Sequence, residues 1–344
     1  MSAQKHGPPV VVVGASAGGV EALRTLVADL SADFPACLLV TLHVPSTGMS
    51  ALPTILARTG VLPAEHAREG SRLQPGRILV ASPDHHLIVL EDTVTLSHSP
   101  RENGHRPAVD VWFRSAARSH AAQVVAVVLS GALDDGAAGM VAVTRRGGTG
   151  IVQDFDDALH DSMPRAAQAA AGVELVVPAK ELSALLGELL RAQQIAPDAA
   201  SPEAAPDVLL EMETAMAELD AAAMHDHDRP GSPSGFGCPD CHGALFEITE
   251  GGLARYRCRV GHAWSPESLL AQQSHALEGA LWMALRGLEE KATLSQDLSE
   301  RAGASGHPLT AARFQSNAAD TLEAAELVRG LIDEIGARND RGGS

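Results

Sequence analysis

The sequence predicts an α/β protein: a doubly wound, mostly parallel sheet, followed by a small zinc-ribbon-like module and a C-terminal helical hairpin. Three observations carry this expectation. Aliphatic runs of strand length alternate with helical spacing through residues 1–191, the pattern of βαβ units. Three of the four cysteines fall between Cys238 and Cys258. Beyond residue 266, leucines and alanines recur at near-heptad spacing on both sides of a Gly/Pro break.

The first strand is Val10-Val11-Val12-Val13, four β-branched residues in a row, which read as a fully buried strand. Gly14-Ala15-Ser16-Ala17-Gly18 follows and fits G-x-S-x-G. A helix is expected over 21–30, a second buried strand over 37–42 ending at His43, and a helix over 49–58. Segments 77–81, 86–90 and 94–96 read as short antiparallel strands. A helix over 110–117 precedes a strong strand over 123–129, which runs into Ser130-Gly131-Ala132-Leu133-Asp134-Asp135-Gly136. A helix over 137–146 ends at Gly147-Gly148. Strands over 150–152 and 173–177 and a helix over 180–191 close the domain. Residues 192–237, rich in Ala, Pro, Asp and Ser, read as a linker with a short helix at 208–219.

Composition narrows the function classes. Hydrophobic residues make up 45% and charged residues 20% of the 344, ordinary for a globular protein. Aromatic residues are only 3%, so the cores are aliphatic. The net charge is −17, which argues against nucleic acid as the main partner. Residues 1–190 carry 14 basic and 19 acidic side chains and the rest 12 and 24, so the acidic excess sits mostly in the C-terminal half. No stretch reaches the ~18 apolar residues of a membrane span, and the N-terminus lacks a signal-peptide core. A cytoplasmic protein without membrane insertion is expected.

Ligands of doubly wound sheets bind beyond the carboxyl ends of the strands. Ser16, His43, Asp134, Asp135, Gln153 and Asp154 all fall at such ends. A serine, a histidine and an aspartate on one edge form a Ser-His-Asp hydrolase set. Strand, glycine-flanked serine and helix is the context of a nucleophile elbow. The chain order Ser…His…Asp is not that of an α/β-hydrolase, which runs Ser…Asp…His. Each residue has a plainer reading: Ser16 as a small turn residue, His43 as a structural histidine, Asp134 or Asp135 as a helix N-cap. Nucleotide binding at the glycine turn is a further reading, weakened because the glycines do not fit G-x-G-x-x-G and no P-loop Lys-Ser/Thr follows.

These segments resemble the CheB-type protein-glutamate methylesterases of bacterial chemotaxis. Gly14-Ala15-Ser16-Ala17-Gly18-Gly19 resembles the family's G-A-S-T-G-G, and Thr41-Leu42-His43-Val44-Pro45 its Q-H-M/L-P stretch. Asn103-Gly104-His105-Arg106-Pro107-Ala108-Val109-Asp110 resembles N-G-H-R-P-S-V-D, and Leu129 to Ala137 resembles L-T-G-M-G-x-D-G-A. Gln153-Asp154 and Ser162-Met163-Pro164-Arg165-Ala166-Ala167 complete the series. The resemblance implies hydrolysis of glutamate γ-methyl esters on methylated, chemoreceptor-like helical proteins, and often deamidation of receptor glutamines. It implies Ser16 as nucleophile, His43 as general base and Asp135 as the orienting acid, with no cofactor for catalysis. Ala17 and Ala132 are the candidate oxyanion donors. Ala17 stands where the family has Thr, Ala132-Leu133 where it has Met-Gly, and Phe155-Asp156 where it has Glu-Ala. The family's usual receiver domain has no counterpart ahead of residue 10, so phosphorylation of a receiver within this chain is not expected to gate the site. The alternative function is a non-catalytic regulatory protein on a degenerate esterase fold.

In the module over 238–265, Cys238-Pro239-Asp240-Cys241 is followed by Cys258-Arg259-Val260-Gly261-His262. This is close to zinc-ribbon spacing, with Cys238, Cys241, Cys258 and His262 as ligands of a structural zinc. His242 is a competing candidate, and reduced cysteines without metal are the plainer reading. Segments 245–248 and 254–257 would form the intervening hairpin. Over 266–337, Leu270, Leu277, Leu281, Leu285 and Leu288 and then Phe314, Leu322, Ala325, Val328 and Ile332 predict two antiparallel helices. Such a hairpin serves either dimerisation or docking on a helical partner, or packs on its own ribbon.

Overall fold

The computed structural model describes residues 8–195, 207–220, 223, 231–250 and 252–342; part of the expected linker, 196–206, lies outside them. Two compact units divide the chain, residues 1–269 and 270–344.

The first unit is organised by a seven-stranded sheet. Its strands are β1 (Val10–Ala15), β2 (Cys37–Leu42), β3 (Ala64–His66), β5 (Arg77–Val80), β8 (Val124–Val128), β9 (Thr149–Gln153) and β10 (Leu175–Val177), in the order β10-β9-β8-β1-β2-β5-β3. Every pairing is parallel. The fold class is therefore the parallel α/β class that the sequence predicts. Helices α1 (Gly19–Ala28), α2 (Leu52–Thr59) and α6 (Ala179–Ile195) flank one face. Helices α3 (Val109–His120), α4 (Ala137–Arg145) and α5 (Ser162–Ala171) cover the other. Alternate residues of β1 feed both cores: Val11 and Val13 pack with Leu23 and Leu26, and Val10 and Val12 with Trp112 and Phe113. Burial on both faces explains the uninterrupted valines.

One expectation is corrected. β5 is not antiparallel to its successors; it pairs parallel with β2 and β3, because Ile78, Leu79 and Val80 are buried in the central sheet. Of the three segments, β6 (His86–Leu90) and β7 (Thr93–Ser97) do pair antiparallel, and β4 (Ser71–Arg72) pairs antiparallel with β7 in the same small sheet.

His86 ties this small sheet to α3. Its Nδ1 accepts from the Ala108 N–H at 3.2 Å and its Nε2 donates to the Pro100 carbonyl at 3.1 Å. That pairing fits only a neutral ring. Burial pushes its pKa down to about 4, against the pull of Glu102. A depressed histidine adds stability that is complete above its unfolded pKa of ~6.5 and is lost as pH falls toward 4. His86→Gln, which can keep both hydrogen bonds, should flatten the loss of unfolding free energy between pH 7 and pH 4 by about 3 kcal/mol. Denaturant titrations of both proteins at the two pH values check this; parallel losses would refute it.

After α7 (Val208–Ala217), the four-stranded antiparallel sheet β11 (Ser232–Gly237), β12 (Ala244–Glu250), β13 (Leu253–Cys258) and β14 (Ala263–Trp264) carries the cysteines. It packs around Trp264, Leu245 and Leu269. Its first strand lies within the stretch expected to be linker.

Helices α8 (Pro266–Ala304) and α9 (Pro308–Gly342) form the antiparallel pair. In the second unit the seam is Leu281, Leu285 and Leu288 against Ala325, Val328 and Ile332, closed by Asn317 on Ser295 and Arg329 on Glu289. Leu270, Leu277 and Leu322, read as seam positions, are exposed. No helix among the described residues is long and apolar enough to cross a membrane.

Candidate active site and metal cluster

The chain leaves β1 toward β2 on one side and later fills β8 on the other. The β1–β8 boundary is thus a topological switch point, where a crevice opens beyond the strand ends. Ser16 sits there. Its N–H donates to the Ser130 carbonyl at 2.9 Å, and the Ser130 hydroxyl donates to the Ala17 carbonyl at 2.7 Å. Gln153 at the end of β9 accepts from the Ser130 N–H at 2.8 Å. The turn needs its glycines: a Cβ on Gly14 would lie 2.3 Å from Val109 Cγ1 of α3, and Gly18 has φ +75°.

His43 leaves β2 beside this turn, its N–H donating to the Ala15 carbonyl at 3.1 Å. Its Nε2 meets Asp135 Oδ2 at 2.7 Å, and its Nδ1 has no hydrogen-bond partner among the described residues. The structure thus brings His43 and Asp135 into contact and sets Ser16 on the adjoining strand end.

The Asp135 carboxylate is surrounded by donors. Oδ2 also accepts from the Val109 N–H at 2.7 Å; Oδ1 accepts from the Asp110 N–H at 3.1 Å and Asn103 Nδ2 at 3.0 Å. Burial opposes the charge, but the hydrogen bond and charge of His43, the charge of His105 and the Val109 N–H hold its pKa well below the usual carboxylate range. The two neighbouring aspartates go the other way. Burial and the charge of Asp135 push Asp110 up to about 7. Burial pushes Asp134 up to about 6, although it accepts hydrogen bonds from Ser265 and Ser268.

Sequence reasoning missed several of these parts. His105 stacks on His43, with ring centroids 3.6 Å apart; burial and the His43 charge push its pKa down to about 4. Asn103 and Asp110 complete the shell around Asp135. Their signal was the Asn103–Asp110 motif itself, quoted without roles. The N–H groups of Ala17 and Ala132 have no acceptor among the described residues, and both residues are exposed. Beside His43 opens a cavity of about 370 Å³, lined by Ser46, Arg101, Gly104, His105 and Arg106. A second, of about 290 Å³, is lined by Val20, Leu42, Met49, Leu52 and Ile55. Val44 and Pro45 border both.

A comparison with known protein families matches residues 11–186 to CheB methylesterase, more than half of the 344 residues. The chain belongs to the CheB methylesterase family. Among curated relatives, protein-glutamate methylesterase/protein-glutamine glutaminase 5 of Myxococcus xanthus is 38% identical over 186 residues, 53% of each chain. Enzyme 2 of that name from Pseudomonas aeruginosa is 36% identical over 181 residues, 52% of each. This chain therefore spans about half the length of the curated relatives it matches. The crystal structure of the Thermotoga maritima CheB methylesterase catalytic domain aligns with a TM-score of 0.51 at 31% identity, covering 53% of this chain and 99% of that one. The CheB match takes in Ser16, His43, Asn103, Asp110 and Asp135. The cysteine module and the helical pair lie outside it.

In that module, ligand atoms of Cys238, Cys241, Cys258 and His262 all lie within 4.8 Å of one another. Cys241 Sγ is 3.6 Å from Cys258 Sγ, which is 3.6 Å from His262 Nδ1. Tetrahedral zinc with Zn–S of ~2.3 Å sets its sulfurs ~3.8 Å apart, so the donor set fits that ion. The other ring nitrogen, Nε2, faces Asp240 at 3.6 Å, the outer carboxylate that orients a ligating histidine. His242 is not in the cluster among the described residues. Cys37 is buried in β2 and its thiol is pushed up to about 12 by burial, so it stays a packing residue.

Proposed function

We propose that this protein is a serine esterase that hydrolyses glutamate γ-methyl esters on chemoreceptor-like helical proteins, releasing methanol. The carrying observation is the His43–Asp135 pair. Asp135 accepts a hydrogen bond from Nε2–H, which leaves Nδ1 of His43 as the acceptor nitrogen, without a partner among the described residues, as a general base needs.

Ser16 Oγ attacks the ester carbonyl carbon while His43 Nδ1 takes its proton. The Ala17 and Ala132 N–H groups hold the oxyanion. The tetrahedral intermediate collapses, the C–OCH3 bond breaks, and His43 returns the proton to methoxide, giving methanol. Water, deprotonated by His43, then cleaves the acyl-serine to glutamate and free Ser16. With a glutamine substrate the leaving group is ammonia. The apolar cleft through Leu42, Met49 and Ile55 supports a helical substrate whose ester-bearing residue reaches over Val44 and Pro45. The exposed apolar residues Leu277, Trp282 and Met283 of α8 support a contact to a helical partner. The cysteine cluster, with four protein ligands and no open position, holds zinc structurally.

The test is methanol release from methyl-esterified receptor cytoplasmic fragments. Wild type should release methanol and Ser16→Ala should not. A folded wild type with no release would favour the non-catalytic regulatory role.

A further inference from the structure

The cysteine module reaches the surroundings of Asp135 from both sides. On one side is Asn103. Its N–H donates to the Ala263 carbonyl at 2.8 Å, and the Ala263 N–H donates to the Arg101 carbonyl at 3.3 Å, so β14 lies along the 101–103 loop. The Asn103 side chain is fully used: Oδ1 accepts from the Ser265 N–H at 2.8 Å, and Nδ2 donates to Asp135 and to Asp110 at 3.0 Å each. The Ser265 N–H decides which way this amide faces. With the oxygen held there, the NH2 must point at the two carboxylates; turned over, the amide would set its oxygen against both. On the other side is Asp134, next in sequence to Asp135. Its Oδ1 accepts from Ser265 Oγ at 2.6 Å and Ser268 Oγ at 2.9 Å, and all three residues are buried. The loop continues through Gly104, packed near the Trp264 ring, to His105 on the face of His43.

The cluster controls this contact through the chain itself. Cys258 ends β13 and His262 immediately precedes β14. The Cys258 N–H donates to the His262 carbonyl at 3.0 Å, and Tyr256 and Arg257 pair with Trp264 and Ala263. An ion bound by Cys258 and His262 therefore clamps the turn that presents residues 263–265.

We propose that the cysteine module is a positioning device for Asp135, acting through Asn103 and Asp134, so that metal occupancy of the cluster sets the turnover of the esterase. This rests on the esterase reading above. Ser265, Ser268, Asp134 and Asn103 are positioning residues; none is assigned a bond to substrate.

The test uses the full chain, zinc-loaded, chelator-treated and zinc-restored, with the variants Ser265→Ala/Ser268→Ala, Asp134→Ala and Asp134→Asn. Two quantities are read. One is kcat and KM on the methylated receptor fragment. The other is the far-downfield proton NMR signal of the hydrogen bond between His43 and Asp135, which needs no turnover. Chelation, the double serine variant and Asp134→Ala should each lower kcat about 10–100-fold with KM little changed, and weaken or broaden the signal. Zinc restoration should reverse the first. Asp134→Asn, whose oxygen can still accept from both serines, should keep both quantities near wild type, which separates positioning from a general loss of folding. Unchanged kcat and unchanged signal after chelation and in the double variant would overturn the proposal, as would an equal loss in Asp134→Ala and Asp134→Asn. Should wild type release no methanol, the esterase reading fails alone. The metal dependence of the signal then still decides the positioning claim.

Discussion

Asp135→Asn is expected to lower kcat by about 10⁴-fold while the central sheet stays folded. All four groups around the carboxylate are donors: His43 Nε2 and the Val109 N–H on Oδ2, the Asp110 N–H and Asn103 Nδ2 on Oδ1. An asparagine offers one accepting oxygen, so whichever way its amide turns, its NH2 faces two donors. If the NH2 faces His43, the ring must give up its Nε2 proton and take one at Nδ1, the nitrogen that would accept from Ser16. If it faces Asn103 and Asp110, the Asn103 contact breaks. The first arrangement removes the base; the second keeps the Nε2 hydrogen bond but takes away the negative charge that stabilises the imidazolium. Methanol release with circular dichroism of the same samples checks it. Near-wild-type kcat in Asp135→Asn would remove Asp135 from the proposed mechanism.

Glu213→Ala is expected to destabilise the protein by about 3–5 kcal/mol, the cost of removing one partner from a buried ionic network. Glu213 on α7 meets Arg255 at 2.7 Å, Arg257 at 2.8 Å and Arg114 at 3.5 Å. Glu102 meets Arg257 at 2.9 Å and also bonds Arg114. All five side chains are at most 6% exposed. Burial works against the charge on Glu213, but Arg255, Arg114 and Arg257 hold its carboxyl far below the usual range. Removing Glu213 takes a carboxylate away from Arg114, Arg255 and Arg257 at once. Glu102 adjoins Asn103, so the loss should also reach the site. Thermal unfolding of the full chain measures the first effect; an unchanged midpoint would show that the cluster does not hold α7 and β13 to the sheet.

Much of the frame was legible in the residue order. Strands β1, β2 and β8 lie between two helical layers, so their sequences had to be apolar at every position, and that signal survives without any tertiary information. Helix α1 was readable from its amphipathic spacing, and the Cys238/Cys241 and Cys258/His262 pairs from ligand spacing, since both are local. β5 was misassigned because its direction depends on a partner, β2, that lies 40 residues earlier in sequence. A strand's own residues do not say which way its neighbour runs.

The site divides in the same way. The strand-end rule placed Ser16, His43 and the Asp134-Asp135 pair on one edge from sequence alone, because the carboxyl end of each parallel strand faces the same side. Spacing could not separate the two aspartates. Adjacent side chains in a tight turn point to different surroundings, and only the fold supplies those surroundings: His43, Asn103 and the α3 N-terminus for Asp135, two serines more than 130 residues away for Asp134. The buried Glu102–Arg114–Glu213–Arg255–Arg257 group and the contact of β14 with Asn103 were equally invisible. Their partners come from a family-matched domain and a segment outside it. The sequence by itself determined the sheet, the candidate residues on its edge and the metal-ligand spacing, because each follows from local period or spacing. Tertiary structure alone decided which charges meet and which donors surround Asp135, because those pairings are set by the packing of segments that no sequence interval relates.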